Sequence, residues 1–417
     1  MLKRLIAVMA VLAMVAGVAF GQASFGGQLL IGTTFLEGDT NKDDVMMGGL
    51  QYHEAKISAS FGDDKGGGKI VLATGTDTAY GGGLGSGYFR TWGFLFWRPV
   101  QQFRMQIGVN ADGDFGSAQI CGWGFTSEAK NSVAALSDYQ AWGGGNTHFP
   151  LWQWQSALTR KGNAWYPGTG DLTNINFSFF PVYGLQVNLV IPIGSDFAHA
   201  SDSGKDGKQM VFQDQIADFQ LNVKYDIEEI GLVNVAFVGK GGLGKDREKT
   251  HSVGDLYASF YLKALTGMDA EIGLNYGLPY TNAANREMDG YIGIGAGFRL
   301  NSSGPFSFKI RANIRAGGKD QGADMPTLIY ANILPCYKIN NNLWAFLYAG
   351  LGMEMIPKTA AADAYTRIGW FINPYIWVRA SEGLRFWTGV QVYQTKINDI
   401  DSPPVEWKVP FGFNFYF

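Results

Sequence analysis

One segment of the sequence has the spacing of a phosphate-binding loop. Gly239 to Lys245 reads Gly-Lys-Gly-Gly-Leu-Gly-Lys, which fits a glycine-rich nucleotide-binding turn and most of the P-loop pattern. Such a site needs Ser or Thr after the lysine and a helix whose N-terminus faces the phosphate. Asp246 follows Lys245 instead, and no helical periodicity comes after it. The segment is therefore interpreted as a flexible loop.

A second segment imitates the start of a calcium-binding loop. Asp39, Asn41 and Asp43 have the opening spacing of an EF-hand, but Asp44 replaces the glycine and Leu50 the final glutamate. A solvated acidic loop is favoured, with loose binding of a divalent cation as the alternative. The histidines have no ligand spacing, so no metal site is expected: they are His53, His148, His199 and His251. No hydrolase motif occurs, so neither an enzyme nor a cofactor is predicted.

The only two cysteines, Cys121 and Cys336, lie far apart in the sequence. An oxidising export route would permit a disulfide between them, which would fix a loop to the wall of the fold. Their separation in the sequence does not show whether the two sulfur atoms lie within disulfide-bonding distance. Two buried thiols are the favoured interpretation, and the disulfide is the alternative.

The N-terminus has the layout of a cleaved signal peptide. Lys3 and Arg4 precede an apolar run of 16 residues from Leu5 to Phe20, with Ala19 and Gly21 at the small positions before the cleavage point. We expect residues 1–21 to be a Sec signal and residues 22–417 to form a single domain. Without Lys3 and Arg4 the chain has 31 basic and 36 acidic residues, a net charge of −5, so nucleic-acid binding has no support.

The composition and the last strand both favour a β-barrel. The chain holds 57 Gly, 29 Phe, 19 Tyr and 12 Trp with only 17% charged residues, as expected for many short strands with aromatic surfaces. From Val405 to Phe417 every second residue is apolar, and the intervening residues are polar or small. Period two places the two sets on opposite faces of a strand. The apolar set is Val405, Trp407, Val409, Phe411, Phe413, Phe415 and Phe417.

This end of the chain resembles the C-terminal signature of bacterial outer-membrane proteins, an alternating aromatic strand with a terminal Phe. The resemblance implies an outer-membrane location and recognition by the barrel-assembly machinery through Phe413, Phe415 and Phe417. The same alternation recurs in hairpins along the chain, for example from Ile175 to Ile191 and from Ile292 to Ile314. The fold class predicted is all-β: a transmembrane antiparallel up-and-down barrel of about 18 strands, within a range of 16 to 20.

The connection from residue 112 to 170 is far longer than an ordinary loop. Its many apolar side chains favour packing against other apolar surface over exposure to water. As the third outer loop, it occupies the place of the loop that folds into the barrel in porins, so the resemblance implies a constriction. The alternative is two further strands near residues 117–126 and 151–160, which would make twenty. Its tryptophans are Trp123, Trp142, Trp152, Trp154 and Trp165.

Strand parity predicts which charged residues line the pore, because the apolar parity must face lipid. The basic set falls on strands 12, 13, 16 and 17: Arg299, Lys309, Arg311, Arg315, Arg367, Arg379 and Arg385. The acidic set falls on strands 8, 10 and 11: Asp218, Asp226, Asp255, Asp269 and Glu271. Opposed clusters of unlike sign would create a transverse field that orients polar solutes. The alternative is that these residues pair with neighbours and stiffen the wall.

The function predicted is a porin-like channel for passive diffusion of small hydrophilic solutes. A sharper version has sugars sliding over the loop tryptophans, with packing of the loop against the wall as its alternative. A rival of another class is a surface adhesin or structural barrel with a plugged, non-conducting lumen. The partners implied are outer-membrane lipid, the assembly machinery, the solutes themselves and, as in many porins, two further copies in a homotrimer.

Overall fold

The structure is a computed structural model that describes most of the chain after the N-terminus. The described residues are 23–41, 45–47, 50–77, 87–109, 173–192, 219–239, 254–281, 287–288, 290–301, 304–320, 323–324, 327–358, 363–397 and 404–417. The expected signal peptide, the loop 112–170 with its five tryptophans, Cys121 and Asp218 lie outside these ranges.

In the described part of the chain, eighteen strands form one antiparallel wall, numbered here β1 to β18, and Met46–Met47 adds a two-residue pairing to β1. In chain order they are Ala23–Asp39, Leu50–Gly62, Gly66–Asp77, Gly87–Val100, Phe103–Val109, Thr173–Phe179, Leu185–Pro192, Gln220–Ile227, Gly231–Gly239, Gly254–Leu265, Met268–Gly277, Ile292–Asn301, Phe306–Ala316, Thr327–Asn340, Leu343–Ile356, Tyr365–Arg379, Leu384–Gly389 with Gln391–Ile397, and Glu406–Tyr416. The expected strand number is confirmed. β17 is one strand in two pieces.

The wall closes on itself. Each strand pairs with its neighbour in sequence, and β18 pairs with β1 from Gln28 opposite Tyr416 to Asp39 opposite Glu406. Beyond the last strand, the Gly27 amide donates to the Phe417 carbonyl at 2.8 Å and the Phe417 amide donates to the Gly27 carbonyl at 3.2 Å. Closure leaves no sheet edge in the wall, which is the condition for a sheet in lipid.

The connections differ in length at the two ends of the barrel. Those after even-numbered strands hold two to five residues, and those after odd-numbered strands are longer. We call the two ends the short-turn end and the long-loop end. At the turn between β2 and β3, the Asp63 carboxylate accepts hydrogen bonds from the amides of Lys65 at 2.8 Å and Gly66 at 3.0 Å. These two backbone hydrogen bonds lower the pKa of Asp63.

The two faces of the wall differ in polarity. Along β16, Phe371, Asn373 and Tyr375 are buried, whereas Ile372 and Ile376 between them are exposed. An exposed apolar face around a closed barrel is the lipid-facing surface of a transmembrane barrel. Members of this outward belt on other strands are Leu95, Ile107, Val223, Leu274, Ile294, Ile310 and Leu351.

Inward aromatic rings lie over glycines of the neighbouring strand. The Trp387 indole on β17 covers Gly412 on β18, and the Phe371 ring on β16 covers Gly350 on β15. Trp387 and Phe371 are each only 1% exposed. The glycines therefore provide the space into which these rings pack.

Two prolines explain the interruption in β17 at Val390. Pro374 on β16 faces the break from one side: the Val390 amide donates to its carbonyl at 3.0 Å. Pro410 on β18 lies on the other side, where its carbonyl accepts from the Thr388 hydroxyl at 2.9 Å. Proline has no N–H to give to a ladder, so each removes one inter-strand hydrogen bond. Sequence periodicity predicted a continuous strand here, because it detects side-chain alternation but not ladder bonds.

Within the described ranges, no helix is long and apolar enough to cross a membrane.

We predict that Gly412→Ala weakens the packing between β17 and β18. The new Cβ would lie about 2.3 Å from the Trp387 ring, which is fully packed and cannot retreat. Overpacking of this kind lowers the free energy of unfolding by about 1–3 kcal/mol. Gly26→Ala is the matched control, because its Cβ would meet nothing closer than 3.6 Å. Urea unfolding of the refolded barrel in lipid vesicles measures both, and equal midpoints would contradict the prediction.

Candidate functional site: the inner face of the barrel

The inner face of β5 to β9 carries a strip of uncharged polar side chains, called the amide strip. Cross-strand register sets Gln106 opposite Asn176, Ser178 opposite Asn188, and Asn188 opposite Asn222. All members except Gln186 are buried, and Asn176, Asn188 and Asn222 have no exposed surface. The strip consists of Gln106, Asn176, Ser178, Gln186, Asn188, Gln220, Asn222 and Asn234.

Four members of the strip form a directed chain of hydrogen bonds. Gln186 Nε2 donates to Asn188 Oδ1 at 2.9 Å, and Asn188 Nδ2 donates to Asn222 Oδ1 at 3.0 Å. Asn222 Nδ2 then donates to Asn234 Oδ1. Because every amide donates in the same direction, the bonds polarise one another and fix the orientation of the chain.

Charged side chains cluster on the inner face near the short-turn end. On β8 and β10, Lys263 Nζ contacts both carboxylate oxygens of Asp226 at 2.8 and 2.9 Å. On β11 and β12, Arg299 donates to Asp269 through Nε at 2.7 Å and also through Nη2. Arg299 Nη2 donates to the Tyr261 hydroxyl at 3.0 Å as well. The predicted acidic residues Asp226 and Asp269 thus pair with neighbouring cations.

Two further predicted residues lie deeper on the same face. Glu271 on β11 is 4% exposed, and Ile272 next to it is 57% exposed. Lys309 on β13 is 6% exposed and lies directly opposite Arg299 in the ladder. Both side chains therefore point away from the lipid-facing belt.

The predicted residues Arg379 and Arg385 form a like-charged pair across β16 and β17. Arg379 Cζ lies 5.5 Å from the ring centroid of Trp344 and 5.9 Å from that of Trp377. Arg385 Cζ lies 5.2 Å from the Trp377 centroid and 5.0 Å from that of Tyr416. Two like charges directly opposite each other repel and destabilise the strand pair. Cation–π attraction to the aromatic rings offsets this repulsion.

A further basic pair lies on β4 and β5. Arg98 Cζ and Arg104 Cζ lie 5.3 and 5.9 Å from the centroid of the Phe180 ring. Arg98 also donates from Nη2 to the Gln101 carbonyl at 2.8 Å. The predicted basic set did not include them, although alternation places both inward: Arg104 shares the parity of the buried Gln106, and Arg98 lies between the exposed Trp97 and Pro99.

A mixed-charge group at the long-loop end was also missed. The Tyr393 hydroxyl donates to Glu406 Oε2 at 2.6 Å, and Lys408 Nζ lies 3.6 Å from Glu37 Oε2. The irregular register between Thr34 and Leu36 on β1 brings Glu37 opposite Lys408. That extra residue shifts the parity of β1, so alternation alone could not place Glu37.

Two cavities open near the short-turn end. One, of 440 Å³, borders the turn between β6 and β7 and is lined by Arg98, Phe180, Tyr183 and Gln186 among others. The other, which we call the mouth cavity, measures 660 Å³ and lies on the inner face of β7 to β11. Its lining includes Gln186, Lys224, Asp226, Tyr261, Lys263 and Asp269. The charged cluster and one end of the amide strip thus share one cavity.

Four predicted site residues lie on strands of the wall with side chains outside the described part of the structure: Arg311 and Arg315 on β13, Arg367 on β16 and Asp255 on β10. Among the described residues, no group of three or more His, Cys, Asp or Glu side chains could hold a metal ion. Cys336 is half-buried on β14, and the disulfide with Cys121 stays a prediction because Cys121 lies outside the described residues.

We predict that Asn222→Leu destabilises the barrel because Asn222 is an inner link of the amide chain. The variant leaves Asn188 without its acceptor and Asn234 without its donor, at about 1–3 kcal/mol for each buried group. Gln186→Leu is the control, since it leaves only one buried group, Asn188 Oδ1, without its partner and should cost less stability. Urea unfolding measures both variants. Equal losses of stability in the Asn222→Leu and Gln186→Leu variants would mean that the inner bonds of the amide chain do not stabilise the barrel.

No protein-family model and no curated protein sequence matches this chain.

Solved structures of outer-membrane channels do match its fold. OpdK of Pseudomonas aeruginosa, crystallised with vanillate, is 10% identical, with a TM-score of 0.54 over 95% of this chain and 100% of that one. OccK2 (OpdF) of the same organism, in complex with glucuronate, is 9% identical, with a TM-score of 0.53 over 95% and 99%. OccAB4 of Acinetobacter baumannii is 7% identical, with a TM-score of 0.52 over 95% and 98%.

At these identities the likeness concerns the fold. The closed antiparallel wall and its apolar outer belt agree with that likeness. The chain is therefore an outer-membrane β-barrel with the porin fold.

Proposed function

We propose that the barrel is an outer-membrane channel for passive diffusion of small hydrophilic solutes. The observation that carries the proposal is the polarity of the inner face, where amides and ion pairs replace the apolar residues of the outer face. A barrel of 18 strands is wide enough to enclose an aqueous passage when its interior is polar. Selection would depend on size, charge and hydrogen bonding, without bond chemistry.

The proposal includes the parts of the chain that the structure does not describe. Residues 1–21 would direct export and be removed, and residues 112–170 would narrow the lumen of the single domain 22–417. The tryptophans of that loop would offer stacking surfaces to sugars. The vanillate and glucuronate of the two P. aeruginosa structures are small organic acids, and their size supports a passage for small solutes here.

Assembly and partners are further parts of this proposal. The outward rings of Phe413 and Phe415, with the terminal Phe417, would form the signal that the barrel-assembly machinery recognises. Phe415 and Phe417 lie 5.9 Å apart between ring centroids, and Phe417 is 66% exposed, so the signal remains accessible at the short-turn end. A homotrimer would bury part of the outward belt.

A second candidate is a non-conducting structural or adhesive barrel. The complete burial of Asn176, Asn188 and Asn222 favours it, because an open aqueous lumen would leave such side chains in contact with solvent. A channel requires a continuous water path beside these residues, and a structural barrel does not.

Single-channel recording of the refolded mature protein in a planar bilayer decides between the two. The channel proposal expects stable openings whose conductance rises with salt concentration. The structural candidate would be favoured if heat-dependent gel mobility shows that the barrel is folded but the bilayer recording shows no channel openings.

The Arg379–Arg385 pair yields a prediction for ion selectivity. Replacing both with Gln removes two positive charges from the inner face and should lower the anion-to-cation permeability ratio by about two-fold or more. Reversal potentials in a salt gradient measure the ratio. Lys358→Gln with Lys396→Gln removes two exposed charges elsewhere and should change it less. An equal shift in both double variants would mean that only total charge matters.

A further inference from the structure

We propose that the mouth cavity is a binding site for an uncharged polyhydroxylated solute, such as a sugar. The proposal rests on the channel function above and adds a substrate class and a site to it. The site lies on the inner face of β7 to β11, apart from the loop 112–170 and its tryptophans.

The charges of the cavity favour a neutral ligand. Its lining carries two ammonium groups, Lys224 and Lys263, and two carboxylates, Asp226 and Asp269. Asp226 is already paired with Lys263 at 2.8 Å, and Asp269 is paired with Arg299, which is not itself a lining residue. An ion of either sign would have to break one of these pairs or face a like charge, and the gain would be small.

The hydrogen-bonding groups of the cavity suit hydroxyls. Ammonium groups only donate, carboxylates only accept, and the Gln186 amide and Tyr261 hydroxyl can do both. The side chains of Lys263 and Asp226 are 37% and 50% exposed, so both remain accessible to a solute. A hydroxyl donates and accepts at once, so it can bridge the two members of an ion pair without separating them. A carboxylate group alone cannot donate and an ammonium group alone cannot accept, so neither can bridge the pair in this way.

The floor and size of the cavity also suit a small polyol. Gln186 is held in one orientation by its donation to Asn188, the first bond of the amide chain. Tyr261 and Leu232 add apolar surface, which the C–H face of a sugar ring can contact. The volume of 660 Å³ falls within the range of small-molecule sites. A preorganised polar wall next to an apolar patch is the usual composition of such a site.

The test compares the block of single-channel current by three probes. D-glucose is a neutral polyol, gluconate is its anionic relative, and glycine is a zwitterion without hydroxyls. Glucose should block in a concentration-dependent way, and gluconate and glycine should block less at equal concentration. Tighter block by glycine would reassign the cavity to zwitterions, and tighter block by gluconate would reassign it to anions; either result overturns the proposal.

Two double variants separate hydrogen bonding from charge. Asp226→Asn with Lys263→Gln removes both charges and keeps polar groups, so the glucose affinity should change by less than about three-fold. Asp226→Leu with Lys263→Met removes the polar groups as well and should weaken glucose about ten-fold, since two hydrogen bonds are lost. Loss of block in the first variant, or unchanged block in the second, contradicts the proposal.

The ion pair Lys358–Asp363 provides a matched control. Its atoms are 2.9 Å apart, and its side chains are 73% and 89% exposed outside the cavity. The same two kinds of substitution at this pair should leave the glucose block unchanged. Glucose binding is also measured by titration calorimetry on the refolded protein in detergent. If the barrel does not conduct but binds glucose with the expected differences between variants, the channel function is refuted and the binding site is not. If the barrel conducts but binds no glucose, only the binding site is refuted.

Discussion

The whole structure depends on satisfying the backbone hydrogen bonds of every strand without help from solvent. In a hydrocarbon layer an unpaired N–H or C=O costs several kcal/mol, so the last strand must return to the first. The ladder between β18 and β1 achieves this closure, and the reciprocal bonds of Gly27 and Phe417 extend it to the final residue. Both faces of the wall, and therefore the lumen, exist only because this ladder closes.

Closure then fixes how the wall is packed. Strands in a continuous ladder have a set spacing, so bulky inward rings need space on the adjacent strand. Gly350 and Gly412 supply that space to Phe371 and Trp387, which makes the β14 to β18 side a dense aromatic wall. The amide strip of β5 to β9 lies about half the circumference away and is fixed by hydrogen bonds between side chains. The two sides of the lumen thus present different chemistry, which gives a passing solute an orientation.

Two of the predicted inward acidic residues are paired. Asp226 and Asp269 each lie beside a cation from a nearby strand, while the opposed walls of unlike sign stay a prediction. Such pairs shorten the reach of the field and leave dense local donors and acceptors instead. Arg379 and Arg385 are instead held by aromatic rings.

The sequence alone determined the architecture. Period-two alternation, short turns after even-numbered strands and the aromatic C-terminal strand all depend on residues that are close together in the sequence. Alternation also assigned Glu271 and Lys309 to the non-lipid face. It could not place Glu37, because the irregular register of β1 shifts the parity there. The ion pairs Asp226–Lys263 and Asp269–Arg299 and the cross-strand bonds of the amide chain join residues that are 12 to 37 positions apart, and the mouth cavity is lined by residues of five strands. Only the tertiary structure decided them, because strand register sets which side chains meet across the wall.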